Sequence, residues 1–235
     1  MGADSTINAT GLRERAEQQL ITFQLSICIV TFNTSEWLAD CLDSIRENTQ
    51  LESLEIIVVD NGSDDGVEEL LMREYPHVRF ISNDSNLGYT RPMNQGLQAA
   101  RGQYLMQLNP DTKVLPGAFV QLVEYMDAHP RVGICGPKVL NGDGSFQKQC
   151  RRGEPRPIAM ISYFLRLSSL FPNSKLLGGY LLEYEDEDAT IEVDALSGSC
   201  MVIRREVVEE IGYLDEQFFA YQEDTDFCSR ARQAG

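Results

Sequence analysis

Short apolar runs alternate with longer segments of helical periodicity over the first 130 residues. "LSICIVTF" (25–32) is apolar and rich in β-branched residues, which predicts a buried strand. "EWLADCLDSIRE" follows, with Trp37, Leu38, Cys41, Leu42 and Ile45 at helical spacing and Ser35 placed as its N-cap. The cycle then repeats. "LEIIVVD" (54–60), "VRFISN" (78–83) and "QYLMQL" (103–108) read as strands. Helices are expected near 67–74, over "TRPMNQGLQAARG" with Gly102 as its stop, and over "GAFVQLVEYMDAH". Residues 1–24 are polar, with a short helix expected around 12–20, and read as a leader.

Strands and helices alternating at this spacing predict βαβ units, hence an α/β fold with a mostly parallel sheet and helices on both faces. Polar clusters at 31–33, 60–62, 83–86 and 109–111 each follow a predicted strand. In parallel sheets ligands bind beyond the carboxyl ends of the strands, so four such clusters on one edge point to a site. Each has an ordinary reading as a turn, since Asn, Asp, Gly and Pro are all turn formers.

After residue 130 the pattern changes. "VLNGDGSFQ" carries hairpin signals, and "LLEYEDEDATIEVD" is an acidic loop entering a strand. "GSCMVIRREVVEEIG" is a strand running into a helix, and a last helix is expected from about Gln222. "RRGEPRPIAMISYFLRLSSLFP" mixes arginines with apolar residues; it reads first as a helix packed on the core, and second as a membrane-surface segment.

Composition narrows the function classes. With 36 acidic against 20 basic residues the net charge is −16, which opposes a broad nucleic-acid footprint. The six cysteines form no C-x-x-C pair and sit mostly in apolar runs, as reduced buried thiols do. His77 and His129 lie beside prolines and read as surface residues. No run approaches the roughly 20 apolar residues that span a bilayer, and no signal-peptide pattern opens the chain. "MGADST" matches the myristoylation pattern formally, without a basic patch to support anchoring.

Six segments, "SICIVTFN", "IIVVDNGSDD", "NLGYTRPMNQGL", "YLMQLNPDT", "GSCMVIRREV" and "LDEQFFAYQEDTDFCSR", resemble in order the inverting glycosyltransferase family 2, which has the GT-A fold. The rhamnosyltransferase-like branch is the nearest likeness, with "NPD" in place of Asp-x-Asp. The resemblance implies a nucleotide-sugar-binding half over 25–130 and an acceptor-side half over 131–235. It places Thr31, Asn33, Asp60, Asn86, Gly88, Asn94 and Asn109 at a dTDP- or UDP-sugar donor. Asp111 becomes the carboxylate for Mg²⁺ or Mn²⁺, and Gly198 and Ser199 face the acceptor. Asp224 is the implied base, with Glu223 beside it; Asp226 is assigned to a helix-terminal ion pair with Arg230. A nucleotidyltransferase would require a Gly-rich basic loop after the first strand, which "VTFNTSEW" lacks.

The function implied is transfer of a sugar, L-rhamnose from dTDP-rhamnose in this branch, to a glycan or lipid-linked acceptor. The setting implied is cytoplasmic, at the inner face of the membrane, with peripheral membrane association allowed. Family members commonly carry a further metal-binding histidine downstream of the Glu-Asp pair, and this chain ends at Gly235. The alternative function is therefore a catalytically impaired binding or assembly module that kept the fold.

Overall fold

The computed structural model describes residues 23–235 except 52, 166, 172 and 173. The expected helix at 12–20 lies outside them. Four parallel strands, β1 (Phe23–Thr31), β2 (Leu54–Asp60), β3 (Arg79–Ser82) and β4 (Gly102–Leu108), form most of a six-stranded sheet of order β3-β2-β1-β4-β8-β5. β8 (Cys200–Arg204) lies antiparallel to β4, and β5 (Ile134–Cys135) pairs outside it. A second, two-stranded ribbon joins β6 (Arg151–Arg152) to β7 (Ala195–Leu196).

Helices α1 (Ser35–Asn48), α2 (Val67–Glu74) and α4 (Ala118–Ala128) cover one face of the sheet. Helices α3 (Thr90–Ala99), α7 (Arg205–Ile211) and α8 (Glu223–Ala234) cover the other. Two further helices, α5 (Pro157–Phe164) and α6 (Leu167–Leu170), lie between β6 and β7 in the chain. The period of two along a strand divides the core: Leu25, Ile27 and Ile29 meet Leu38, Leu42 and Ile45, whereas Cys28 and Val30 belong to the cluster of Met93, Leu97 and Phe227. A continuous apolar run is therefore needed for a strand buried on both sides.

Three local expectations are corrected. The buried stripe of α1 is Leu38, Cys41, Leu42 and Ile45; Trp37 lies about 100° before Leu38 on the wheel and is exposed. Ser35 begins α1 rather than capping it by its hydroxyl, and its N–H donates to the Asp65 carboxylate at 2.7 Å. Gly102 opens β4 instead of closing α3, because a Cβ there would stand 2.6 Å from the Ser26 nitrogen. The hairpin signals at 139–147 hold: Leu140 and Phe146 pair across a turn closed by Asn141 N–H to the Ser145 carbonyl, 2.8 Å.

The apolar-basic stretch departs from its first reading. Ile158, Ile161 and Phe164 on α5 are each more than half exposed, so this helix does not bury its apolar side in the core. Arg151 turns inward, donating to the Asp186 and Glu185 carbonyls at 2.9 Å each. Among the described residues no helix is long and apolar enough to cross a membrane.

Candidate active site

Because β1, β2 and β3 are parallel and in register, Thr31 lies beside Asp60, and Asp60 beside Ser82, at one edge of the sheet. The loops beyond that edge are interlocked. The Asp60 carboxylate accepts from the Ser63 hydroxyl and, at 3.2 Å, from the Ser63 N–H. Ser63 Oγ in turn accepts from the Asn33 N–H at 2.9 Å, while Asn33 Oδ1 accepts from the Asp64 N–H at 2.9 Å. Asn33 holds φ at 53°, a conformation that asparagine tolerates better than most residues. Thr31 is fully buried, its hydroxyl 2.9 Å from that of Thr34.

Asn61 ties the next two loops together. Its Nδ2 donates to Asn86 Oδ1 at 2.9 Å and to the Gly88 carbonyl at 2.7 Å, and its Oδ1 accepts from the Leu87 N–H at 2.9 Å. Gly88 has φ 86°, and a Cβ there would stand 2.4 Å from the Phe219 carbonyl, so no other residue fits. Tyr89 N–H donates to that same carbonyl at 2.7 Å. Asn94 is buried and bonded both ways to the backbone of Leu214, donating at 2.9 Å and accepting at 3.1 Å. Segment 86–94 thus seats the loop that leads into α8, and the amide of Asn94 is engaged inside the protein.

The Asn109-Pro110-Asp111 turn follows β4. It is anchored on one side by Asn109 N–H to the Ser199 carbonyl, 2.9 Å, and on the other by Val114 N–H to Ser44 Oγ, 2.9 Å. Between the anchors the Asp111 side chain is exposed and makes no hydrogen bond or ion pair among the described residues. Cys41 lies beneath; burial, with Asp111 adding to it, pushes its thiol up to about 12. All six cysteines are buried, and both histidines are exposed.

Glu223 and Asp224 form the first turn of α8, preceded by Tyr221 and Gln222 at φ 67° and 73°. Two consecutive non-glycine residues in the left-handed region are held there by surrounding contacts, a form of strain that clusters at functional sites. Asp224 Oδ2 accepts from the Gly198 N–H at 3.1 Å and from Arg152 Nη2, and Oδ1 accepts from the Thr225 N–H at 2.7 Å. Arg152 Nη2 also donates to the Leu196 carbonyl at 3.0 Å. Burial works against the Arg152 charge, and Asp224 together with Tyr180 more than restores it. Asp226 pairs with Arg230 at 2.8 Å, as the i, i+4 spacing indicates.

Glu223 is different. It is buried, and its Oε2 has no partner among the described residues. Burial pushes its carboxyl above the ordinary 4.5, and Asp224 adds to the rise. A raised pKa means that the folded state holds this proton more tightly than the unfolded chain does, so the stabilising contribution is present at acid pH and is lost as pH rises through the folded-state value. Glu223→Gln, which cannot ionise, is therefore expected to gain Tm over wild type as the pH is taken from acid to neutral. A gap that stays constant or narrows would show that the carboxyl does not titrate upward.

Gly198 and Ser199 join these parts. Gly198 donates to Asp224, its carbonyl accepts from the Tyr89 hydroxyl at 3.3 Å, and Ser199 holds the Asn109 turn. A Cβ at Gly198 would sit 3.4 Å from Gln107 Oε1. Among the described residues neither amide atom of the fully buried Gln107 has a partner, and the buried Ser199 Oγ has none either. The structure thus connects Asn109, Gly198, Ser199 and Asp224, and separately Asn61, Asn86 and Gly88, while Asn94 is directed to Leu214. Ser63, Arg152 and Gln107 escaped the sequence reading. A lone polar residue inside an apolar strand was the one available signal, for Gln107.

The donor set can be tested against a divalent cation. No group of three or more His, Cys, Asp or Glu side chains is placed to hold a metal among the described residues. Asp111 supplies one free carboxylate, and Mg²⁺ or Mn²⁺ fits such a site when substrate phosphates and water complete its shell.

A Rossmann-like sheet with one antiparallel strand inserted beside β4, and acidic turns at its carboxyl edge, defines a GT-A fold. Residues 26–212 match the profile described as Glycosyl transferase family 2, and the chain belongs to that family. It is 29% identical over 227 residues to the N-acetylglucosaminyl-diphospho-decaprenol L-rhamnosyltransferase of Mycobacterium tuberculosis, covering 92% of this chain and 72% of the relative. It is 27% identical over 220 residues to the low-salt glycan biosynthesis hexosyltransferase Agl10 of Haloferax volcanii, covering 92% and 64%. Among solved structures it resembles TarS of S. aureus in complex with UDP-GlcNAc, with a TM-score of 0.60, 17% identity, and coverage of 88% of this chain and 53% of that one. It also resembles the mannosyltransferase PcManGT from Pyrobaculum calidifontis in complex with GDP-Man and Mn²⁺, with a TM-score of 0.62, 16% identity, and coverage of 95% and 59%. The chain therefore spans about two thirds of the length of these curated relatives and little more than half of these solved chains.

Proposed function

We propose that this protein is an inverting glycosyltransferase that moves a hexose, L-rhamnose from dTDP-rhamnose, to a hydroxyl of a glycan or lipid-linked acceptor. The carrying observation is that Gly198-Ser199 connects the turn bearing the free Asp111 carboxylate to the buried Asp224 by one hydrogen bond on each side. Thr31, Asn33 and Asp60 line the nucleoside end, with Asn86, Gly88 and Asn109 toward the diphosphate and sugar; Asn94 holds the loop that carries the base. Asp224 takes the acceptor proton as the acceptor oxygen bonds to the anomeric carbon. The bond from that carbon to the diphosphate breaks on the opposite face, and nucleoside diphosphate leaves. Asp111 would hold a divalent cation, which supplies charge neutralisation at the leaving group when bound. Residues 25–130 act as the donor half and 131–235 as the acceptor half. The diphospho-decaprenol in the mycobacterial relative's name supports a lipid-linked acceptor; a cytoplasmic setting at the inner membrane face is proposed with it.

One observation favours a second reading, a binding or assembly module without turnover: Arg152 already occupies the Asp224 carboxylate. A thermal-shift screen of dTDP-, UDP- and GDP-sugars with and without Mn²⁺, followed by an assay for nucleoside diphosphate release, separates the two. An enzyme shows a donor-specific rise in Tm together with release. A module shows the rise alone, and a flat screen removes both.

A further inference from the structure

The segment over 155–182 contains no Asp or Glu, although 36 of the 235 residues are acidic, and it carries Arg156, Arg166 and Lys175. Ile158, Ile161, Phe164, Leu165, Leu170 and Phe171 are each more than half exposed. Seven of the fourteen exposed large hydrophobics among the described residues fall between 158 and 176, so the apolar surface is concentrated here rather than scattered. Patches of this kind mark interaction sites. We propose that this face seats the protein on an anionic lipid surface, with the acceptor presented from that surface to Asp224.

The occupant follows from charge and position. On a chain of net charge −16 an anionic bilayer is repelled everywhere except where acids are missing and cations flank an apolar face. Among the described residues Arg156, which is exposed, pairs with the exposed Glu154 alone, and Lys175 packs over the Tyr184 ring with its ammonium 5.4 Å from the centroid. The apolar side chains supply most of the attachment and the cations select the lipid. The chain path adds a distance: Arg152 contacts Asp224, and α5 begins five residues later, so the face starts no more than about 18 Å of extended chain from the candidate base. The identity of the acceptor rests on the proposed function; attachment to lipid does not.

The full chain is sedimented with vesicles of phosphatidylcholine alone and of phosphatidylcholine mixed with phosphatidylglycerol, at low and high salt. Binding to the anionic vesicles is expected, about tenfold weaker on neutral lipid and reduced by salt. Ile161→Gln/Phe164→Gln keeps good helix formers at exposed positions, so Tm is expected to stay within about 2 °C while vesicle binding drops at least tenfold. Absence of binding to either vesicle at low salt overturns the proposal, as does equal binding by the double variant. Loss of a dimer in the variant without any lipid binding assigns the face to a second copy and likewise overturns it. Release of nucleoside diphosphate from soluble donor is measured in parallel: its absence alongside intact vesicle binding removes the proposed function and leaves the surface standing.

Discussion

Asp224→Asn is expected to keep donor binding and to lower sugar transfer by roughly two to four orders of magnitude, the usual contribution of a positioned base. The substitution preserves shape and removes the proton acceptor. It also leaves the Arg152 guanidinium without its buried counter-charge, which costs roughly 3–5 kcal/mol when such a pair is fully buried. A fall in Tm is therefore expected with the fall in rate, and the two effects must be separated. Arg152→Gln/Asp224→Asn removes both charges and is expected to regain much of the lost Tm while staying inactive. Transfer at the wild-type rate in either Asn variant would move the base elsewhere, and Glu223, buried with an unpartnered oxygen, is next in line. Restored stability with restored activity would mean that Asp224 served only to neutralise Arg152.

Asp111→Ala is expected to abolish the Mn²⁺-dependent part of donor affinity and to lower transfer by roughly two to three orders of magnitude, since a metal at a leaving diphosphate is worth several kcal/mol in the transition state. Tm is expected to be unchanged within the roughly 0.5 kcal/mol typical of surface positions, because the exposed carboxylate has no partner to lose. Titration of a donor nucleotide with and without Mn²⁺ reads the first effect directly. The same metal response in variant and wild type would remove Asp111 from the site.

The parallel half was legible because β1, β2 and β4 are buried on both faces and read as largely apolar runs; 54–60 and 103–108 lie within one residue of β2 and β4. Gly102 misled because glycine closes helices by adopting positive φ, whereas here it is demanded by the close approach of Ser26 across the sheet, a tertiary fact with no local signature. Trp37 misled because periodicity finds the apolar residues of a helix without fixing which edge of the stripe is covered. At the site, acids and amides at strand ends could be found one by one. Arg152 could not: it reaches Asp224 across 72 positions of sequence, and its own neighbourhood, the start of "RRGEPRPIAMISYFLRLSSLFP", reads as a helix packed on the core or as a membrane-surface segment. Asn94 has the residue type of a ligand contact, yet its pairing with Leu214 depends on a loop 120 residues away.

The antiparallel insertion of β8 has a consequence for how the chain is born. β4 lies inside the finished sheet, flanked by β1 and β8, and residues 104–108 are completely buried. During synthesis its partner on one side arrives early, with β1 already made. On the other side, Tyr104 waits for Arg204 and Leu108 for Cys200. At about 5–20 residues per second that interval lasts roughly 5–20 s, long compared with the collapse of the first half. Throughout it the nascent protein presents an unpaired, apolar strand edge, the template on which chains add to one another. Ribosome-associated chaperones that shield such an edge are therefore expected to raise the yield of folded protein more than any stabilisation of the finished fold would.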